Sequence, residues 1–429
     1  MKQRCRSALA LALAAALIFG GAPAFADTAG PEVSAEAMGA DVSQALIKNI
    51  PKGGLRLGTS EGEWTVLALA RAGQGTPEIC DTYYGNVKKE VESDKGILSE
   101  NKYTEYSRVI LGLTAVGRDP RSVGGYDLVQ PLADYDKVVL QGINGPIWAL
   151  IALDSKKYDM PQLKGAGGAQ NSREKMVDYI LSNEIGGGTS SAGGWALAGS
   201  EPDPDITAMA LQALSPYRSR PDVQAAVDRA VGTLSGLQSG SGGYASWGTE
   251  DSESAAQVVV ALTALGISPG REDFVRNGHT LLSALAAYDL PGRGFKHVLS
   301  DSSANGMATD QCACAIAAYN RFRSSRNALY DMSDVASVDA ASGLQTFLSD
   351  TTVDFCVRGA YMFKITSRNG RTPAFVVGTS GVFATQLAGT AGSDYYFRIK
   401  SVGPAGAKAG VYVNGSRVVV AEVGGAPSA

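Results

Sequence analysis

The chain has 429 residues, 45% of them apolar, with 38 basic and 42 acidic side chains and a formal net charge of −4. That balance excludes the basic face a nucleic-acid binder needs. The length and apolar content are enough for two or three packed domains.

The first residues predict an exported protein. Lys2, Arg4 and Arg6 precede an apolar run over residues 8–19, then Ala24-Phe25-Ala26 stands before Asp27. This is the charged, apolar and small-residue order of a secretory signal peptide, with the mature chain starting near Asp27. Cys5 lies in the charged leader, not at the cleavage point, which argues against a lipoprotein. Without residues 1–26 the balance is 35 basic against 42 acidic, about −7. No later apolar stretch is long enough for an integral membrane span. The mature cysteines are Cys80, Cys312, Cys314 and Cys356, too few for a disulfide scaffold. One bridge is open to them, but the sequence does not fix its pairing. Cys312 and Cys314, two apart on a predicted helix, point in different directions.

From residue 63 a short theme recurs six times: a polar residue or two, then small and aliphatic residues at helical spacing. The copies are residues 63–69, 107–113, 145–151, 205–211, 256–262 and 311–317. Helices apolar on nearly every side are buried ones. Between them lie amphipathic segments at 171–183, 221–238 and 271–288, with weaker ones at 42–50, 78–93 and 126–135, all read as outer helices. Six such pairs predict a mainly α fold, an (α/α)6 toroid of inner and outer helices over residues 27–349, with an open superhelix as the competing arrangement. Gly186-Gly187-Gly188 reads as a flexible connection, not a phosphate cradle.

Gly193-Gly194-Trp195, Gly242-Gly243-Tyr244 and Gly294-Phe295 stand before inner helices, with Gln238 five residues ahead of Gly243. The stretch 238–244 resembles the repeat motif of squalene-hopene cyclases. The run beginning Pro202-Asp203-Pro204-Asp205-Ile206 resembles the acidic helix of class II terpene cyclases. The resemblance covers about residues 30–325, a fold shared by terpene cyclases, protein prenyltransferases, complement-type domains and carriers of the transcobalamin and intrinsic-factor type. By that resemblance Asp205 takes the place of the acid that protonates an alkene or epoxide, although Ile206 replaces the last carboxylate of the motif. The same residues also read as helix caps, Asp203 or Asp205 accepting orphan backbone N–H bonds with Pro204 in the first turn. At 7% aromatic, the chain is poor in the rings that would wall a carbocation. Asp310-Gln311-Cys312 resembles two of the zinc ligands of protein prenyltransferases. The third ligand is missing, since the only histidines, His279 and His297, both precede that pair, so neither a metal nor another cofactor is expected. No Cys-Gly-Glu-Gln thioester, nucleophile elbow or phosphate loop occurs.

After about residue 350, alternating aromatic and β-branched runs begin. Strands are expected at 360–365, 381–384, 395–399, 411–413 and 418–420, with turns at Asn369-Gly370 and Asn414-Gly415, and a closing helix or linker precedes them over 331–348. They predict a small antiparallel β-sandwich over 350–429.

If the inner helices align as written, their N-terminal ends gather Glu61, Glu63, Tyr106, Arg108, Asn144, Trp148, Asp203, Asp205, Gln257, Asp310 and Gln311 at one mouth. Trp195, Tyr244, Trp247 and Phe295 are placed as aromatics closing over it. Concave, mixed in polarity and aromatic-edged, this is a candidate ligand site, and the same groups also read as helix caps in a plugged ring. The leading expectation is a secreted or surface-associated binding protein holding a small molecule, cobalamin-like by resemblance to the carriers, or a cell-surface component. The alternatives are a class II cyclase-like enzyme using Asp205, and an adhesive surface protein whose ring is filled by side chains.

Overall fold

A computed structural model describes residues 34–338 and 352–424, apart from 59–60, 166, 188, 190–192, 356–358, 367–371, 379–380, 393 and 414–415. The expected leader, Cys356, the two Asn-Gly turns, Gly188 and the closing helix at 342–348 lie outside the described residues.

Most of the described helices begin where a short polar side chain holds orphan N–H groups. α1 (Ala35–Lys48) is capped by Ser34, and α2 (Glu63–Arg71) follows a glycine turn. α3 (Pro77–Ser93) starts from Thr76 with Pro77 in its first turn, and α4 (Thr104–Ala115) comes next. Then follow the short α5 (Tyr135–Val138), α6 (Asn144–Asp154) and α7 (Arg173–Ser182), α7 capped by Ser172. α8 (Pro204–Leu214) is capped by Asp203, and α9 (Pro221–Leu237) follows. α10 (Ser252–Ala264) is capped by Asp251, α11 (Leu281–Ala286) by Thr280 and α12 (Gly306–Arg323) by Asn305. By contrast, α2, α4, α6 and α9 have no such cap.

The even-numbered helices touch in a closed cycle: α2 packs on α4, α4 on α6, α6 on α8, α8 on α10, α10 on α12, and α12 returns to α2. The odd-numbered helices pack outside, α1 against α12 and α3, α7, α9 and α11 against their neighbours in the cycle. One apolar core runs from Ala35 to Met332 through both layers. The arrangement is mainly helical and compatible with an α/α toroid. No helix among the described residues is long and apolar enough to cross a membrane.

Two outer helices expected from periodicity are broken. Residues 126–135 fold as a 3-10 turn at Gln130–Ala133 with the single turn of α5 after it. Residues 271–288 give a 3-10 turn at Glu272–Phe274 and only six residues of α11. Asn277 and Gly278 have φ of 53° and 80°, which no α-helix tolerates.

Short hairpins lead into the last two inner helices: β1 (Tyr244–Ser246) with β2 (Thr249–Asp251), and β3 (Asp289–Leu290) with β4 (Gly294–Phe295). Gly294 has φ of 106°, and a Cβ there would lie 2.5 Å from Thr309 Oγ1, so only glycine lets the hairpin sit this close to α12.

The C-terminal strands are β5 (Thr352–Phe355), β6 (Ala360–Thr366), β7 (Phe375–Val377), β8 (Phe383–Ala391), β9 (Asp394–Ser401), β10 (Lys408–Val413) and β11 (Ser416–Val423). They form two sheets, ordered β5-β11-β10-β7 and β6-β9-β8. Inward residues of both, Phe363, Phe397 and Ile399 from one and Val411, Val419 and Ala421 from the other, make a second core. The expectation of a wholly antiparallel sandwich is corrected at one edge, where β5 runs parallel to β11. β5 and β7, both short edge strands, are absent from the sequence reading.

The segment after α12 folds back under the cycle of helices. Arg71, buried on α2, donates from Nε to Leu329 O at 2.8 Å and from Nη2 to Ala328 O and Asp331 O at 2.9 Å, and pairs with Asp334 at 2.8 Å. Arg321 on α12 holds the same Asp334 and donates to Asn327 O. This clamp sets Tyr330 inside the cycle, with its ring 6.0 Å from that of Trp148 and perpendicular to it.

Candidate functional site

The N-terminal turns of the even-numbered helices surround a cavity of about 390 Å³. Its apolar wall is Trp64 and Trp148, with ring centroids 5.2 Å apart, with Tyr330 beneath them. Met209, Val260, Met307 and Cys314 complete that side. The other wall is polar. Arg108 donates from Nε to Glu63 Oε2 at 2.9 Å and from Nη1 to Glu105 Oε1 at 3.2 Å. An amide chain runs from Gln212 Nε2 to Gln257 Oε1 at 3.0 Å, then from Gln257 Nε2 to Gln311 Oε1 at 2.9 Å. Asn144 Oδ1 is buried without a hydrogen-bond partner.

Of the expected site residues, Arg108, Asn144, Trp148, Gln257 and Gln311 line this cavity together. Glu63 does not. It is fully buried, accepting from Tyr83 OH at 3.1 Å and Gly58 N at 3.0 Å as well as from Arg108, and so orients that guanidinium from behind. Gly112 is the closest floor of this cluster: a Cβ there would lie 2.6 Å from Tyr83 Oη. Tyr106 is also internal, its hydroxyl accepting from Leu98 N.

The aromatic lid is corrected. Trp195, Tyr244 and Phe295 are fully buried. Trp195 Nε1 donates to Ile180 O at 2.7 Å and Tyr244 OH to Leu234 O at 2.8 Å, both on the preceding outer helices. These rings anchor the loop before each inner helix to the outer layer, and do not face the mouth. Trp247, by contrast, is 91% exposed.

The acidic groups lie at the N-terminal turns of α8, α10 and α12. Asp203 is the cap of α8, its Oδ1 accepting from Asp205 N and Ile206 N at 3.0 Å and its Oδ2 from Ser246 Oγ at 2.7 Å. Both of its oxygens are thus engaged, at the cap and by Ser246. Asp205 is different: its Oδ1 is buried with no partner. Burial, with the nearby Asp203, Asp251 and Glu253 carboxylates, pushes its carboxyl up to about 7 against a hydrogen bond from Ser254. Asp205 stands one helical turn before Met209, a cavity residue, and Glu253 one turn before Gln257. Glu253 Oε2 accepts from Ser252 Oγ at 3.0 Å and pairs with His297 Nδ1 at 2.9 Å, a bond that raises the imidazole above its ordinary value.

Asp310 is buried on α12, its Oδ1 accepting from Thr65 Oγ1 at 2.7 Å, and burial pushes it up to about 7. A carboxyl raised by folding stabilises the fold below the unfolded value near 4 and loses that contribution as pH rises through the folded value. Asp310→Asn should therefore flatten the fall in Tm between pH 5 and pH 8, measured by thermal unfolding. An unchanged pH slope would show that this carboxyl ionises normally.

Asp310 and Cys312 do not form a joint metal site, because Cys312 turns to Ser252 O and Asp310 to Thr65. Among the described residues, the group with metal-like spacing is Asp251, Glu253 and His297, whose ligand atoms lie within 4.8 Å of one another. Both Asp251 oxygens already serve the start of α10, accepting from Ser254 N at 2.8 Å and Ser254 Oγ at 3.0 Å. Cys80, Cys312 and Cys314 are free thiols.

Trp64, Glu105, Met209 and Tyr330 also line the cavity, and the sequence reading places none of them at the mouth; nor does it place Glu253 there, or His297, which it names only as a discounted zinc ligand. Trp64 adjoins Glu63 and carries the same alignment signal. Tyr330 carries none, because a loop beyond the last inner helix delivers it.

No family model matches the chain, and no curated protein matches it. Among solved structures it is similar to the unsaturated glucuronyl hydrolase of Bacillus sp. GL1, described as responsible for the degradation of glycosaminoglycan. The identity is 10% and the TM-score 0.40, with 69% of this chain and 98% of that one covered. The expectation of a carrier or adhesive protein is corrected on the geometry. A cavity of 390 Å³ is at the small end of drug-sized sites and cannot enclose a corrin macrocycle. Nor is the interior filled, as an adhesive ring would be: a second cavity of about 470 Å³ lies on the far side of Tyr330, among Asp154, Gln212 and Tyr217. For the class II cyclase alternative the lining is mixed, with aromatic and aliphatic side chains on one side and amides and an ion-paired arginine on the other.

Proposed function

We propose that this chain is an exported hydrolase that cleaves a glycosidic bond at the mouth of an (α/α)6 toroid, with Asp205 as the proton donor. The closed cycle of inner helices supports the toroid, and the charged and apolar leader over residues 1–26 supports export. The observation that carries the chemistry is Asp205 itself: a buried carboxyl with an unpartnered Oδ1, held near pH 7, one turn above a cavity lined by aromatic rings and amides. A carboxyl protonated near neutral pH is what general-acid cleavage of an acetal requires. An aromatic wall and amides that donate and accept suit a polyhydroxylated ring better than an apolar one.

In the reaction, the Asp205 carboxyl gives its proton to the bridging oxygen as the C–O bond breaks and the bonding pair stays on that oxygen. Water adds hydroxide to the sugar carbon, and its remaining proton passes to the Glu253–His297 pair, from which Asp205 is restored. The mature chain incubated with an oligosaccharide panel should release new reducing ends at a rate that declines as pH rises above about 7. Failure to cleave any member of the panel would overturn the reading.

A further inference from the structure

We infer that the cavity at the mouth of the helices selects a sugar bearing a positively charged amine, and excludes acidic sugars. This rests on the glycosidase reading and names its substrate class.

The aromatic wall is the first observation. Trp64, Trp148 and Tyr330 form a continuous set of rings, 5.2 and 6.0 Å between successive centroids, all lining one cavity. Ring faces carry a negative quadrupole and hold ammonium groups over them, best for tryptophan. The second is charge. Arg108 is the cation of the lining, and Glu63 and Glu105 both bond it, so it has no charge left over for an anion. With Glu63 and Glu105 against its one guanidinium, this cluster offers no surplus positive charge for a uronate to meet. The third is hydrogen bonding. Asn144 Oδ1 is an acceptor that nothing in the protein satisfies, and an ammonium group is a pure donor.

Calorimetric titration with three oligomers of matched length separates the alternatives: a glucosamine oligomer, its N-acetylated counterpart and an oligogalacturonate. The glucosamine oligomer should bind at least about 10-fold more tightly than the other two, and the preference should shrink with added salt. Trp148→Leu should remove most of that preference while thermal unfolding shows the variant folded. Equal affinity for the three, or tighter binding of the uronate, would overturn the inference. Amine-selective binding without cleavage would leave it standing and remove the hydrolase reading; cleavage without selectivity would do the reverse.

Discussion

Asp205→Asn should reduce kcat/KM on a cleaved oligosaccharide by about 10² to 10⁴, the usual contribution of a positioned general acid. The change is nearly isosteric, and the side chain makes no bond through Oδ1 that the amide would break. Folding should therefore survive. Stability at pH 8 should rise slightly, because the wild-type carboxylate is disfavoured there by burial and by Asp203, Asp251 and Glu253. The wild-type rate should fall as pH rises through about 7, as the donor loses its proton. Steady-state kinetics across pH 5 to 9 on both proteins measures all of this. A variant within threefold of wild type would show that the proton comes from elsewhere.

Arg71→Ala should cost about 3–5 kcal/mol, the range for removing one partner of a buried ion pair. Arg71 is buried to 3% exposure and serves Leu329 O, Ala328 O, Asp331 O and Asp334 together. Its loss leaves those acceptors unmet and Arg321 as the only clamp on Asp334. For a body of this size the midpoint should drop on the order of 10 °C. Arg71→Lys keeps the charge but lacks the planar fork, and should fall between the two. Because the clamp seats Tyr330 beneath Trp148, the variant should also lose substrate affinity at temperatures where it remains folded. A midpoint within 2 °C of wild type, measured by thermal unfolding, would contradict the clamp.

The inner helices were readable because full burial leaves an unmistakable composition: residues 107–113 and 256–262 have almost no surface-compatible side chain, and both sit inside helices. Aligning those copies also placed Arg108, Asn144, Trp148, Gln257 and Gln311 at a common level, where they share a cavity. The outer layer was harder to read, because amphipathic spacing does not reveal where a turn interrupts it. Asn277-Gly278 ends the helical path at 271–288 although the apolar spacing continues. The direction of a loop aromatic was not legible at all. Trp195 and Tyr244 follow Gly-Gly pairs that turn them outward into the space between the helix layers, and nothing local distinguishes that from a turn toward the mouth. Asp203 and Asp205 differ by two positions and have opposite surroundings, one satisfied as a cap and one left with a buried orphan oxygen. That difference depends on Ser246 and on the start of α10, more than forty residues away.

The most direct measurement is cleavage of oligosaccharides in ¹⁸O-labelled water by the mature chain, read by mass spectrometry. The expected result is one labelled oxygen at the new reducing end for each bond broken, with the signal lost in Asp205→Asn. No cleavage of any oligosaccharide, or label incorporated at an undiminished rate in the Asp205→Asn variant, would contradict a glycosidic hydrolase built on that carboxyl.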